Sequence, residues 1–189
     1  MPLTPPLPRP ALTRPALDLL VSYARAHRDQ RNITTHLAGV PMVVFGAALL
    51  LAPAAVQLGT MRTTLGWLAF GALWLWMLSR GQIALGLATT AFTAALAWAA
   101  HQLVGLAPAS WPTLGLALLF LGWLAHSVGH YYEGRRPVFA DDPAGPLVAP
   151  MFVVLELLAM AGLCRPLMAR VEQAAGPATL RDLAQPLAR

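Results

Sequence analysis

The sequence predicts an all-α integral membrane helix bundle of about five apolar segments, preceded by an amphipathic helix. Three observations carry this. Hydrophobic residues make up 57% of the 189 residues, and mean hydropathy is +0.59. Charged residues make up only 11%, against about 25% in a soluble domain. The apolar residues also fall in runs near the roughly 20 residues that a membrane span requires. Helices are the expected element, because unpaired backbone polar groups are too costly in lipid.

Residues 1–16 read as a flexible Pro-rich tail without the apolar core of a signal peptide. Residues 17–170 form one transmembrane helical domain, and residues 171–189 a second, loose or surface-lying tail. Leu17 to Arg31 is the amphipathic helix: Leu17, Leu20, Val21 and Ala24 repeat at helical spacing opposite Arg25, Arg28 and Arg31. The apolar runs follow at roughly 35–56, 63–78, 83–104, 112–129 and 147–168. Pro41 and Pro53 predict a kink or broken end in the first. Ser79-Arg80-Gly81-Gln82 reads as a tight turn. The second run is short and the fifth carries Glu156, so either is open to being half-buried rather than spanning.

All 13 basic residues are arginine, and formal net charge is +5. The arginines lie in tails and short loops, which fits anionic headgroups and excludes a nucleic-acid platform of basic and aromatic residues. Arg9, Arg14, Arg25, Arg28 and Arg31 precede the first span and place the N-terminus in the cytoplasm. Arg80, Arg135 and Arg136 agree with that count; Arg62 and an outside C-terminus after five spans do not. The expected location is a bacterial inner membrane. Cys164 is the single cysteine, so no internal disulfide or thiolate cluster exists. Trp67, Trp74, Trp76, Trp98, Trp111 and Trp123 read as packing and interface belt.

The chemistry is expected from histidine. His27 and His36 flank the start of the first span, and His126 and His130 end the fourth. Up-down counting brings both pairs to one membrane face. His126 and His130, at i and i+4, point about 40° apart on a helix and can grip one metal ion. His27 and His36 would point about 180° apart on an unbroken helix. They converge only if the chain turns between them, and Asn32 is the expected helix cap. His101, late in the third span, reads as an interfacial polar group. Glu133 is open as a ligand, an orienter of ligands or a general base, or as an ion-pair partner of Arg135 or Arg136. Glu156 lies in an apolar run, where a carboxylate is costly and a functional candidate. Haem held by histidine pairs is the rival cofactor.

Two stretches together resemble the Mpo1-like family of membrane proteins. One is Tyr23-Ala-Arg-Ala-His27 with Asn32, His36 and Gly39-Val40-Pro41; the other is Gly129-His130-Tyr-Tyr-Glu133-Gly-Arg135-Arg136-Pro137 with Ala149-Pro150-Met-Phe152 and Glu156. The resemblance implies iron(II)-dependent dioxygenation of 2-hydroxy fatty acids in α-oxidation, shortening the chain by one carbon. It implies His27, His36 and His130 as metal-site residues, with Asn32 and Glu133 nearby; His126 rests on its helical spacing. The expected site therefore has His27, His36, His126 and His130 on Fe(2+). Glu133, Glu156 and Asn32 orient ligands or move protons, and Arg135, Arg136 and Tyr23 bind substrate. The expected partners are O₂, a 2-hydroxy fatty acid and the bilayer. A haem electron-transfer protein and a scaffold with a structural metal are the alternatives.

Overall fold

Side-chain caps start the helices that follow Asp29 and Thr64, whereas the helices that begin at Ile83 and Trp111 start without one. A computed structural model describes residues 10–107, 109–134 and 143–184. Helix α1 (Ala16–Arg25) turns Ala16, Leu19, Leu20, Tyr23 and Ala24 inward and leaves Asp18 and Arg25 exposed. It is shorter than the expected 17–31 amphipathic helix, because the chain turns at residues 26–29. Helix α2 (Gln30–Leu51) then starts where the Asp29 side chain accepts the Arg31 backbone N–H at 2.9 Å. Asp29, not Asn32, is thus the cap. A two-stranded hairpin follows, β1 (Ala55–Leu58) and β2 (Met61–Thr64), turning at Gly59 with φ +60°. Its strands were expected as the end of one span and the start of the next.

Helices α3 (Leu65–Leu78) and α4 (Ile83–Leu106) form a hairpin through the expected turn, where Gly81 has φ +91°. The Trp74 indole N–H donates to the Thr93 hydroxyl at 2.9 Å and ties the pair together. Helix α5 (Trp111–Glu133) returns to the face where α2 began. Helices α6 (Gly145–Met160) and α7 (Arg165–Ala175) meet at 118°. The fifth expected run is therefore broken, with Cys164 at φ 53° in the corner.

Among the described residues, α2, α4 and α5 are long and apolar enough to cross a bilayer, and the bent α6–α7 pair is a fourth candidate. The protein is an all-α membrane helix bundle, as expected. Helix α3 has 14 residues; at 1.5 Å each it is about 21 Å long and falls short of a hydrocarbon core of about 30 Å.

Helix α2 is the axis of the bundle, and its closest neighbour is the antiparallel α5. Lipid supplies no hydrophobic drive between helices, so small residues that admit close backbone approach hold them together. A Cβ on Gly39 would meet the Gly122 carbonyl oxygen at 2.9 Å, and one on Gly122 would meet the Gly39 oxygen at 2.7 Å. One glycine of the same stripe reaches the histidine end: a Cβ on Gly129 would collide with Thr35 Oγ1 and Asn32 Oδ1. Gly129→Ala is expected to force α2 and α5 apart there and to cost about 1–3 kcal/mol, the usual range for overpacking. A thermal melt at or above the parent's would contradict this close approach.

The C-terminal tail is anchored where it is described. The Thr179 N–H donates to the Arg28 carbonyl at 2.8 Å, and the Gln30 N–H donates to the Thr179 carbonyl at 3.0 Å. The Arg181 N–H donates to Asp29 Oδ2 at 2.8 Å. It is a strap across the α1–α2 turn.

Candidate metal centre

The turn after α1 places His27, the first turns of α2 place His36, and the last turns of α5 place His126 and His130. The centroids of the four rings lie within 6.5 Å of one another in every pairing. The closest are His36 and His126 at 4.0 Å, and the widest His27 and His126 at 6.5 Å. His27 and His36 are fully buried, and His130 is 4% exposed. The ligand atoms of His27, His36 and His130 all fall within 4.8 Å of one another. His126 joins through its ring nitrogen, 3.2 Å from that of His130. His101 lies apart: it is exposed on α4 against the Trp67 ring, 6.0 Å away.

Tautomers follow from the backbone. His27 Nδ1 is 2.7 Å from the Tyr23 carbonyl oxygen, and His36 Nδ1 is 2.8 Å from the Asn32 carbonyl oxygen. A carbonyl only accepts, so each Nδ1 carries the proton and donates it. Each Nε2 then presents a lone pair, and the two Nε2 atoms face each other at 3.1 Å. Lone pairs repel at that distance unless a proton or a cation lies between them. Burial, with the neighbouring His36, holds His27 well below the usual imidazole range and so favours its neutral, ligating form. Two nitrogens bound to one first-row divalent ion at about 2.1 Å stand roughly 3.0–3.4 Å apart. The donor set therefore fits a metal ion. Backbone acceptors on the far ring nitrogen are also the usual way in which ligating imidazoles are oriented.

Glu133 joins the two histidine pairs. Its carboxylate accepts the Arg28 N–H at 2.9 and 3.0 Å, the Asp29 N–H at 2.8 Å and the Asn32 side-chain amide at 3.1 Å. It stands three residues after His130 and grips the two residues after His27. Asn32 lies in the first turn of α2, where its amide meets Glu133 and its carbonyl meets His36. Glu156 is on α6, with Arg28 and Glu172 as its electrostatic neighbours. It does not line the cavity at the histidines. Arg135 and Arg136 lie outside the described residues.

Tyr23 stacks on the His27 ring at 4.0 Å, nearly parallel. It is 3% exposed, and among the described residues its hydroxyl has no hydrogen-bond partner. It lines a cavity of about 220 Å³ together with His27, His126 and the apolar residues below them. Burial keeps the phenol protonated by raising it above its ordinary range, so it is a donor in search of an acceptor.

Two residues escape sequence reasoning. Asp29 accepts from the Arg31 guanidinium at 2.7 and 2.9 Å and from the Arg181 N–H. The Arg31 hydrogen bonds, more than any other cause, hold its carboxyl down to about 2. Arg181 also donates from Nε to the Tyr132 carbonyl at 2.8 Å. Its strap thus ties the His27 turn to the end of α5. An Asp two residues before a helical Arg is a weak capping signal; Arg181 has no signal in the sequence.

A membrane bundle with four inward imidazoles at one face defines a candidate membrane metalloprotein. The protein-family profile described as 2-hydroxy-palmitic acid dioxygenase Mpo1-like matches residues 14–161, and the chain belongs to this Mpo1-like family. No curated protein and no solved structure matches it.

Proposed function

We propose that the protein is a membrane-embedded iron(II) dioxygenase that removes one carbon from 2-hydroxy fatty acids. The observation that carries this reading is the pair of opposed Nε2 lone pairs of His27 and His36, closed by His126 and His130. The family supports the substrate class. Two trans ligands at about 2.0 Å from one metal stand about 4 Å apart. The Nε2 atoms of His27 and His36 at 3.1 Å, and of His126 and His130 at 3.2 Å, are closer than that, so neither of these pairs brackets a porphyrin. Imidazole donors suit iron among other first-row metals. Bound iron(II) would supply open positions for O₂ and for the hydroxyl and carboxylate of the substrate. One 2-hydroxy acid and one O₂ give the acid one carbon shorter, CO₂ and water, so cleavage of C1–C2 balances without an outside reductant.

The chain's own residues set the geometry of this reaction. The Tyr23 and Asn32 carbonyls keep His27 and His36 as Nε2 donors. Glu133 fixes the His27 turn against α5 and orients the ligands rather than binding the ion. The Tyr23 phenol donates to the substrate carboxylate, and Glu156 on α6 acts from outside the cavity through its electrostatic neighbour Arg28 in the His27 turn. Arg135 or Arg136 adds a bidentate carboxylate contact. Arg25, Arg28 and Arg31 on this face argue for a cytoplasmic site.

The test is purified protein with iron measured directly, followed by O₂ uptake on 2-hydroxypalmitate. Uptake matched by pentadecanoate formation is expected. Iron-loaded protein that consumes no O₂ with this substrate would favour a structural metal. Tyr23→Phe is expected to raise KM about tenfold, the equivalent of one hydrogen bond of about 1.4 kcal/mol, with iron content unchanged. An unaltered KM would remove the phenol from substrate binding.

A further inference from the structure

The cavity under the histidines has a direction. Its polar end is lined by Tyr23, His27 and His126. From there it runs down α2 to Val44, eight residues beyond His36; at 1.5 Å per residue that is about 12 Å toward the middle of the bilayer. Its walls are α5 and α6. Both rest on α2, yet among the described residues they barely touch each other. The gap between them is flanked by Trp123, 56% exposed, and by the exposed Pro146. Ala149 lines the channel from the α6 wall.

We infer that this gap is a lateral portal. A single straight acyl chain enters from the surrounding leaflet between α5 and α6 and lies with its head at the histidines. The inference rests on the reading above and adds the route and the seat of the chain. The size of the cavity selects the occupant. Pockets for drug-sized ligands measure roughly 300–1,000 Å³, so about 220 Å³ seats one acyl chain and has no room for a whole sterol or for both chains of a lipid. A dry cavity of about 150 Å³ holds six carbons as benzene. By that ratio this one holds about nine methylenes. The rest of a longer chain leaves past Trp123 into lipid. An open portal therefore sets no upper limit on chain length, whereas a closed cavity would set one near nine carbons.

The probe is palmitate carrying a diazirine at carbon 10, added to the protein in phosphatidylcholine nanodiscs and irradiated. Adducts are mapped by peptide mass spectrometry, with excess 2-hydroxypalmitate as competitor. The expected adducts fall on Trp123, Val44 and the α6 stretch around Ala149, and the competitor suppresses them at least tenfold. Adducts confined to outward residues such as Leu116 and Phe120, or adducts that the competitor leaves unchanged, would overturn the portal. Adducts in the groove without O₂ uptake would keep the portal and remove the dioxygenase. O₂ uptake with adducts only on the outer surface would do the reverse. A second measurement needs no photochemistry: Trp123→Ala, at an exposed position, is expected to shift adducts from α5 to α6 and to keep parental iron content. An unchanged adduct map in that variant would count against Trp123 as the edge of the portal.

Discussion

His36→Ala is expected to lose iron by at least about 100-fold in affinity, and O₂ consumption with it. Removing groups that merely orient a ligand already costs about 10–100-fold, and His36 is argued to be a ligand. Its ring is fully buried, its Nδ1 is committed to the Asn32 carbonyl, and its Nε2 faces that of His27 at 3.1 Å. No other described side chain can replace it, because the remaining imidazole, His101, packs on Trp67 elsewhere in the bundle. His101→Ala is accordingly the control and is expected to keep full iron. Metal analysis of both variants checks the pair. Parental iron in His36→Ala, or its loss in His101→Ala, would mean that the ion sits elsewhere.

Glu133→Ala is expected to be the most destabilising change outside the histidines. The Arg28 and Asp29 N–H groups would each lose an ionised acceptor, and the Asn32 amide would lose a third contact. An unsatisfied buried donor costs about 1–3 kcal/mol, so two give about 2–6 kcal/mol. That is a large share of a typical stability of about 5–15 kcal/mol. The His27 turn would come loose from α5, and iron affinity is expected to fall about 10–100-fold. Glu133→Gln keeps an oxygen acceptor of the same shape and should recover most of the thermal stability and part of the iron binding. If Glu133 were instead a general base, Glu133→Gln would melt like the parent, bind iron fully and turn over nothing.

The elements that the sequence could show are those whose signal is local. Apolar run length shows α2, α4 and α5, and the i, i+4 spacing shows His126 and His130 on one face. Span counting puts both histidine pairs on one membrane face only if the 63–78 run counts as a crossing; α3 is short for that, yet it reverses the chain between α2 and α4, and the rings do meet. The turn between His27 and His36 is legible too, but its cause is displaced: Asp29 caps the helix, and Asn32, a residue equally suited to capping, serves Glu133 instead. The break between α6 and α7 is hidden by hydropathy, which runs on through Leu163 and Leu167. Its signals are Gly162 and Pro166, a stop followed by a start. The hairpin of residues 55–64 is too short for a periodicity to show. The strap of Thr179 and Arg181 rests on backbone hydrogen bonds to residues some 150 positions earlier in the chain, and no local pattern announces such a contact. Glu133 carries four possible roles in the sequence, and no local pattern announces its three donors, Arg28, Asp29 and Asn32.

X-ray absorption at the iron edge of the purified, iron-loaded protein tests the account most directly. It predicts a first shell of nitrogen and oxygen near 2.1 Å with the outer-shell scattering of several imidazoles, and no Soret band in the visible spectrum. A shell without imidazole scattering, a porphyrin signature, or protein that retains no iron would contradict it.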